Sequence, residues 1–218
     1  MSKISVITVC WNCVGEIEKT LKSVLSQTYS NMEYIVVDGA STDGTLEIIN
    51  RYKDRISVLI SEPDSGLYNA MNKGVKVATG QWCIFMNAGD VFASNNVLEE
   101  MFGSHQPRQC TKVYYGNTTY VYENNDKVTL RAKPIFPEIL RCQPYCHQSV
   151  FFNIEQKKNP FFEEKFKIAS DYNTSLWYYI NYGKNAFEIS KVLVSEFSAF
   201  GGVSTLEKNF QRRWLENM

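Results

Sequence analysis

No charge of either sign predominates in this chain of 218 residues, in which Lys and Arg together number 23 and Asp and Glu together also number 23. A protein that grips nucleic acid through its phosphates needs a basic field, and none exists here. Long hydrophobic runs are missing too. No apolar stretch approaches the roughly 20 residues that span a bilayer. The first residues (MSKISVITVCWN) lack the charged region, long apolar core and small-residue cleavage site of a secretory leader. They read as a first strand, so the chain is expected to begin here and to work in the cytoplasm. Glycine-rich phosphate loops are absent from the first strand–helix turn. Cys10 to Gly15 stands there in place of G-x-G-x-x-G or G-x-x-x-x-G-K-[ST], which argues against a dinucleotide oxidoreductase or a P-loop enzyme.

What is present is the balance of a globular domain, with 44% hydrophobic and 21% charged residues. The length suits a single domain. Aromatics make up 14%, and they supply core or sugar-stacking surface equally well. The six cysteines are expected to be reduced in a cytoplasmic protein. Cys10 and Cys13 form a C-x-x-C, but at a strand end rather than at the start of a helix. Cys142, Cys146 and His147 gather zinc-ligand types, but a site would need further ligands brought in from elsewhere. Both groups read as buried or incidental thiols.

The first 90 residues alternate strand and helix patterns. Strands are predicted over Ile4–Val9, Glu33–Asp38, Ile56–Ile60 and Trp82–Met86. Helical spacing joins Ile17, Leu21, Val24 and Leu25, then Leu46, Ile48, Ile49 and Tyr52, then Tyr68, Met71, Val75 and Ala78. This rhythm predicts an α/β fold with a mostly parallel sheet covered by helices on both faces. In such sheets ligands bind beyond the carboxyl ends of the strands. Asn12, Asp38, the segment from Glu62 to Ser65, and Asp90 each follow a strand, so four elements aim polar groups at one edge. Farther on, Val113–Glu123 and Lys127–Ala132 predict a hairpin turning at Asn124-Asn125-Asp126. Pro134 and Pro137 mark a loop, His147–Phe152 a strand, Ser170–Tyr182 a helix capped by Ser170 or Asp171, Phe187–Phe197 a strand and Thr205–Asn217 a terminal helix. No repeat or linker divides the chain. It reads as one domain over residues 1–218, with a nucleotide half at 1–90 and an acceptor half at 91–218.

Several residues carry chemistry by position, each beside a plainer role. Asp38 can accept hydrogen bonds from a base or ribose, or simply hold its turn. Asp90, in Asn87-Ala88-Gly89-Asp90, suits a divalent cation that leaves its other sites to phosphate and water, or is an ordinary turn residue. Asp171 would be held ionised by the helix dipole, as a cap or as an aimed general base. His147 beside Gln148 can meet a phosphate, a metal or an acceptor hydroxyl, or be structural. Lys73 can neutralise a diphosphate or stay solvated.

Read as longer motifs, residues 5–12 (SVITVCWN), 20–29 (TLKSVLSQTY), 33–45 (EYIVVDGASTDGT), 61–66 (SEPDSG), 70–74 (AMNKG), 78–80 (ATG) and 85–90 (FMNAGD) together resemble the opening of family 2 glycosyltransferases. Residues 147–149 (HQS) and 169–172 (ASDY) are more loosely similar to the family's later part. The resemblance implies a GT-A, Rossmann-like fold, a nucleoside diphosphate sugar such as a UDP- or GDP-sugar as donor, Mg²⁺ or Mn²⁺, and inversion at the anomeric carbon. It implies that Thr8, Val9, Asn12 and Asp38 face the nucleoside and that Asp64, Asn72 and Lys73 lie around base and diphosphate. Asn87 and Ala88 would border the donor, Asp90 would be the surviving carboxylate of the metal motif, and Asp171 the base. His147 and Gln148 are candidates for acceptor or phosphate contact. The sequence departs from the family at Asn87 and Gly89, where many relatives carry aspartates, and at Met71, where an Arg is common. The acceptor would be a glycan or a lipid-linked sugar of surface polysaccharide synthesis; residues 206–215 (LEKNFQRRWL) mix basic and apolar side chains and read as a packed terminal helix or as one resting on a membrane. A nucleotidyltransferase and a non-catalytic sugar-nucleotide binder are the alternatives.

Overall fold

The computed structural model describes residues 1–156 and 160–198. The predicted helix over Thr205–Asn217, and the membrane contact read into it, lie outside the described residues. The elements run β1 (Ile4–Cys10), α1 (Ile17–Leu25), β2 (Met32–Asp38), α2 (Thr45–Asn50), β3 (Val58–Ser61), α3 (Leu67–Val77), β4 (Trp82–Phe85), β5 (Val91–Phe92), α4 (Val97–Phe102), β6 (Val113–Val121), β7 (Lys127–Leu130), the single turn α5 (Ile135–Glu138), β8 (Val150–Asn153), α6 (Ser170–Tyr182) and β9 (Phe187–Ser198).

All seven residues of β1 are buried, which places it at the centre of a sheet covered on both faces. Its side chains alternate between two cores. Ile4, Val6 and Cys10 join Ile17, Leu21 and Val24 of α1. Ile7 and Val9 join Met71 of α3 and Tyr178 of α6. Each such aliphatic side chain contributes on the order of 1.5–3 kcal/mol by leaving water. The helix α3 lies close against the sheet because Gly74 has no side chain: a Cβ there would sit 2.6 Å from Cγ2 of Ile7.

One nine-stranded sheet holds the molecule together, in the order β3-β2-β1-β4-β8-β6-β9-β5, with β7 beside β6. The pairs β3–β2, β2–β1 and β1–β4 are parallel. The sheet then turns mixed: β4–β8 and β8–β6 are antiparallel, β6–β9 is parallel and β9–β5 antiparallel. After β3 the chain crosses back to the other side of β1, so the ends of β1 and β4 flank the point where strand order reverses, the usual crevice for a ligand. At the opposite edge the sheet is fastened by Glu33. Its buried carboxylate accepts hydrogen bonds from Ser5 Oγ (2.6 Å), Thr79 N–H (2.6 Å) and Gly80 N–H (3.0 Å), and pairs with Lys3 (2.9 Å). Burial alone would raise this carboxyl, but the donors outweigh it and bring it down to about 2.

Three expectations need correction. His147–Ser149 is a turn of 3-10 helix, and the strand begins only at Val150. The segment at Pro134 and Pro137 is loop broken by a kinked turn at Ile135–Glu138, in which Phe136 is extended (φ −115°, ψ 134°). The N-cap of α6 is Ala169, with no side-chain cap, rather than Ser170 or Asp171.

Candidate active site

The polar residues predicted at the strand ends do lie at one edge of the sheet. After β1, Asn12 adopts a left-handed φ of 47°, which its short polar side chain tolerates. There Asn12 Oδ1 accepts Thr42 N–H (2.9 Å), and its own N–H donates to Ser41 Oγ (2.8 Å). Asp38, fully buried, accepts Ser41 N–H (3.1 Å) and Ser61 Oγ–H (2.8 Å). Both residues thus knit the turns after β1, β2 and β3 into one rim. At Gly39 the rim is closely packed: a Cβ there would lie 2.5 Å from Asp64 Oδ2 and 3.3 Å from Trp11 Cδ1. Trp11, 68% exposed, was not singled out from sequence. A large aromatic left open beside a glycine is the signal that could have marked it.

Other predicted donor residues are turned inward. Thr8 Oγ1 donates to Met86 C=O (2.7 Å) and meets Tyr34 Oη (2.9 Å) inside the core. Val9 is buried. Asn72 bonds both ways with Phe162, through Nδ2 to its C=O (2.9 Å) and through Oδ1 from its N–H (2.8 Å). Lys73 pairs with Glu62 (2.9 Å) and donates to Pro63 C=O (2.7 Å). These side chains build the walls of the crevice.

The turn after β4 differs. Gly89 takes φ 100°, a region that an aspartate would enter only with strain. Thr20 of α1 clamps the turn, accepting Gly89 N–H (3.0 Å) and donating to Asp90 C=O (2.8 Å). Ala88 N–H donates to Val9 C=O (3.2 Å). The Asn87 Oδ1 atom is buried with no hydrogen-bond partner among the described residues. Burial pushes the Asp90 carboxyl up to about 7, against a hydrogen bond from Gln148 that lowers it. The Gln148 amide is oriented for that task, because its oxygen accepts the Cys146 thiol (2.7 Å). The remaining amide hydrogens of Gln148 are then left for the carboxylate.

Asp171 lies in the first turn of α6 with its side chain 18% exposed. It is not spent on capping. Its Oδ1 faces Tyr68 Oη at 3.3 Å, while Tyr68 donates chiefly to Ile168 C=O. Its Oδ2 lies 3.7 Å from His147 Nδ1. Burial lowers the pKa of His147, against the pull of Asp171, so the imidazole is neutral at physiological pH. The adjacent residues His147 and Gln148 therefore link the two carboxylates, one toward Asp171 and the other onto Asp90. Sequence alone could not show this bridge.

These residues fit a hard divalent cation in kind: a carboxylate and an unpaired amide oxygen are oxygen donors of the sort Mg²⁺ and Mn²⁺ accept. No group of three His, Cys, Asp or Glu side chains gathers among the described residues, so other ligands would have to complete the shell.

The sequence profile described as Glycosyl transferase family 2 matches residues 5–172. The chain belongs to this family. A PGL/p-HBAD biosynthesis glycosyltransferase of Mycobacterium tuberculosis is 26% identical over 96% of this chain and 82% of its own. The UDP-Glc:alpha-D-GlcNAc-diphosphoundecaprenol beta-1,3-glucosyltransferase WfaP of Escherichia coli is 32% identical over 59% of this chain and 50% of its own. Among solved structures, TarS of S. aureus (residues 1–349) superposes with a TM-score of 0.71 at 20% identity, covering 90% of this chain. This chain spans only 60% of that structure. The glucosyl-3-phosphoglycerate synthase of Mycobacterium tuberculosis, solved with Mn²⁺ and UDP, has a TM-score of 0.62 at 18% identity, covering 89% of this chain and 71% of its own. The α/β fold of this chain is thus shared with these glycosyltransferase structures over about nine-tenths of its length.

Proposed function

We propose that this family 2 member transfers a sugar from a nucleoside diphosphate sugar, a UDP- or GDP-sugar, to a hydroxyl of a glycan or lipid-linked acceptor, with inversion. The observation that carries the reading is Asp171: a carboxylate at a helix start, free of capping duty and related to Asp90 through the adjacent His147 and Gln148. Residues 1–90 would take the donor and the later part the acceptor. The base would lie against the rim shaped by Asn12 and Asp38, beside Trp11 and Asp64. Asp90 and the orphaned Asn87 oxygen would hold Mg²⁺ or Mn²⁺, with Lys73, Ala88 and Asn72 bordering the diphosphate. The cation, when bound, supplies positive charge against the leaving diphosphate.

In the reaction Asp171 takes the proton from the acceptor hydroxyl as that oxygen forms its bond to the anomeric carbon. The bond from that carbon to the diphosphate oxygen breaks on the opposite face. His147 and Gln148 stand between the two centres. Support for a lipid-linked acceptor comes from the relative WfaP, whose name specifies a diphosphoundecaprenol-linked one. No helix among the described residues is long and apolar enough to cross a membrane.

Asp171→Asn tests the assignment, since it keeps the size of the side chain and removes the proton acceptor. Turnover is expected to fall about 100- to 10,000-fold, with nucleotide affinity measured by calorimetry unchanged. The product's anomeric configuration, read by NMR, should be opposite to the donor's. Retained configuration, or a variant within a few fold of wild type, would remove both base and mechanism.

A further inference from the structure

His147 presents a puzzle of its own. Both ring nitrogens are buried and neither has a hydrogen-bond partner among the described residues. A buried polar group without a partner costs at least what a lost hydrogen bond costs, so such groups persist where something else needs them. The ring cannot swing to find a partner. It stacks on Phe85 (centroids 5.4 Å apart, planes at 23°) and meets Phe162 edge-on (5.9 Å, 61°). Its neighbour Gln148 is anchored on Asp90, and residues 147–149 form a tight 3-10 turn. A rigid imidazole therefore presents Nδ1 to Asp171 Oδ2 at 3.7 Å. That is too long for a hydrogen bond, yet a modest rotation of the Asp171 side chain closes it. Catalytic hydrogen bonds are often long in the free enzyme and tighten when substrate is in place. Tyr68, on the other side, faces Oδ1 but has committed its proton chiefly to Ile168 C=O.

Resting on the reading of Asp171 as the base, we propose that His147 is a positioning residue: in the acceptor-bound state its Nδ1–H donates to Asp171 Oδ2 and turns Oδ1 toward the acceptor hydroxyl. The proton stays on Nδ1 throughout, and the acceptor's proton goes to Asp171. This tautomer leaves the lone pair on Nε2, away from the carboxylate. Fixing one carboxylate oxygen matters because a displacement of about 1 Å in a reacting group costs on the order of 100-fold in rate.

His147→Phe keeps the ring stacking and removes the donor, whereas His147→Gln returns an N–H. We expect His147→Phe to lower kcat about 10- to 100-fold with donor KM and UDP or GDP affinity within twofold of wild type. His147→Gln should recover part of that kcat. In an Asp171→Asn background the same change should cost little, since it acts through Asp171. A His147→Phe enzyme with wild-type kcat overturns the proposal. So does equal loss in both backgrounds, or loss of nucleotide affinity in step with kcat. The tautomer can be read without any acceptor, from imidazole ¹⁵N shifts of the free protein: a proton on Nδ1 is expected, and one on Nε2 alone would also overturn the proposal. If wild type transfers no sugar, the functional reading fails by itself, and the ¹⁵N result still decides which nitrogen of His147 carries the proton.

Discussion

At the scale of single residues, Asp90 sets stability against function. Its carboxyl is raised to about 7 by burial, from roughly 3.9 in an unfolded chain. A raised carboxyl means that the folded state holds its proton after the unfolded state has released it. Stability therefore falls as pH rises from about 4 to 7, and the penalty is complete above that window. Asp90→Asn removes the penalty, which amounts to as much as about 4 kcal/mol. We expect the ligand-free variant to melt higher than wild type at pH 8, on the order of 5 °C, and to gain much less at pH 5. Differential scanning calorimetry at the two pH values checks this, and a lower melting temperature at pH 8 contradicts it. The same variant should lose Mn²⁺-dependent binding of nucleotide. A bound cation reverses the local preference for the neutral form, which is why a carboxyl so uncomfortable alone is useful there. Gly89 explains one departure from the family: at φ 100° this turn favours glycine, and Asn87 then offers a neutral oxygen where relatives often have a charged one.

Among the elements, α3 depends on close approach. An alanine normally stabilises a helix relative to glycine by about 1 kcal/mol, yet at Gly74 its Cβ would come within 2.6 Å of Ile7 Cγ2 and 3.5 Å of Val37 Cγ2. Ile7 is fully buried in the central strand and cannot give way. Overpacking of this kind costs about 1–3 kcal/mol, so Gly74→Ala should destabilise by up to about 2 kcal/mol net in urea unfolding, and a more stable variant would refute the packing argument. Elements of this parallel half were readable from sequence because their signals are local. β-branched runs mark the strands, apolar residues at helical spacing mark the helices, and a polar residue follows each strand. The start of α6 was read too, but its cap was not. Nothing in Ala169-Ser170-Asp171 tells a capping carboxylate from a free one. That distinction lies in the contacts of Asp171 with Tyr68 and His147, from elements far away in the chain. The strand β5, two residues long, and the six-residue α4 carry too little pattern to register.

At the scale of the whole molecule, the order of the sheet beyond β4 was out of reach of sequence. The partners Val113 and Phe187 of β6 and β9 lie side by side in parallel, with no local signal to announce it. The inward turn of Thr8 and Asn72 was hidden for the same reason, since the donors and acceptors that hold them come from distant segments. The seam between β4 and β8 has a consequence for how the chain can be divided. Trp82, Cys83, Ile84 and Phe85 are all buried, and Trp82 and Cys83 pair directly with Asn153 and Phe152. Cut away from the rest, residues 1–103 would end their sheet on a bare hydrophobic edge, the kind of border that recruits another strand. We expect that fragment to self-associate at micromolar concentration in sedimentation velocity, while the full chain stays dispersed; a monomeric, cooperatively melting fragment would show the seam to be dispensable. The nucleotide half is thus no transplantable cassette. A chimera built to exchange donor specificity should carry its crossover in the surface turns after β1, β2 and β3, leaving the shared sheet uncut.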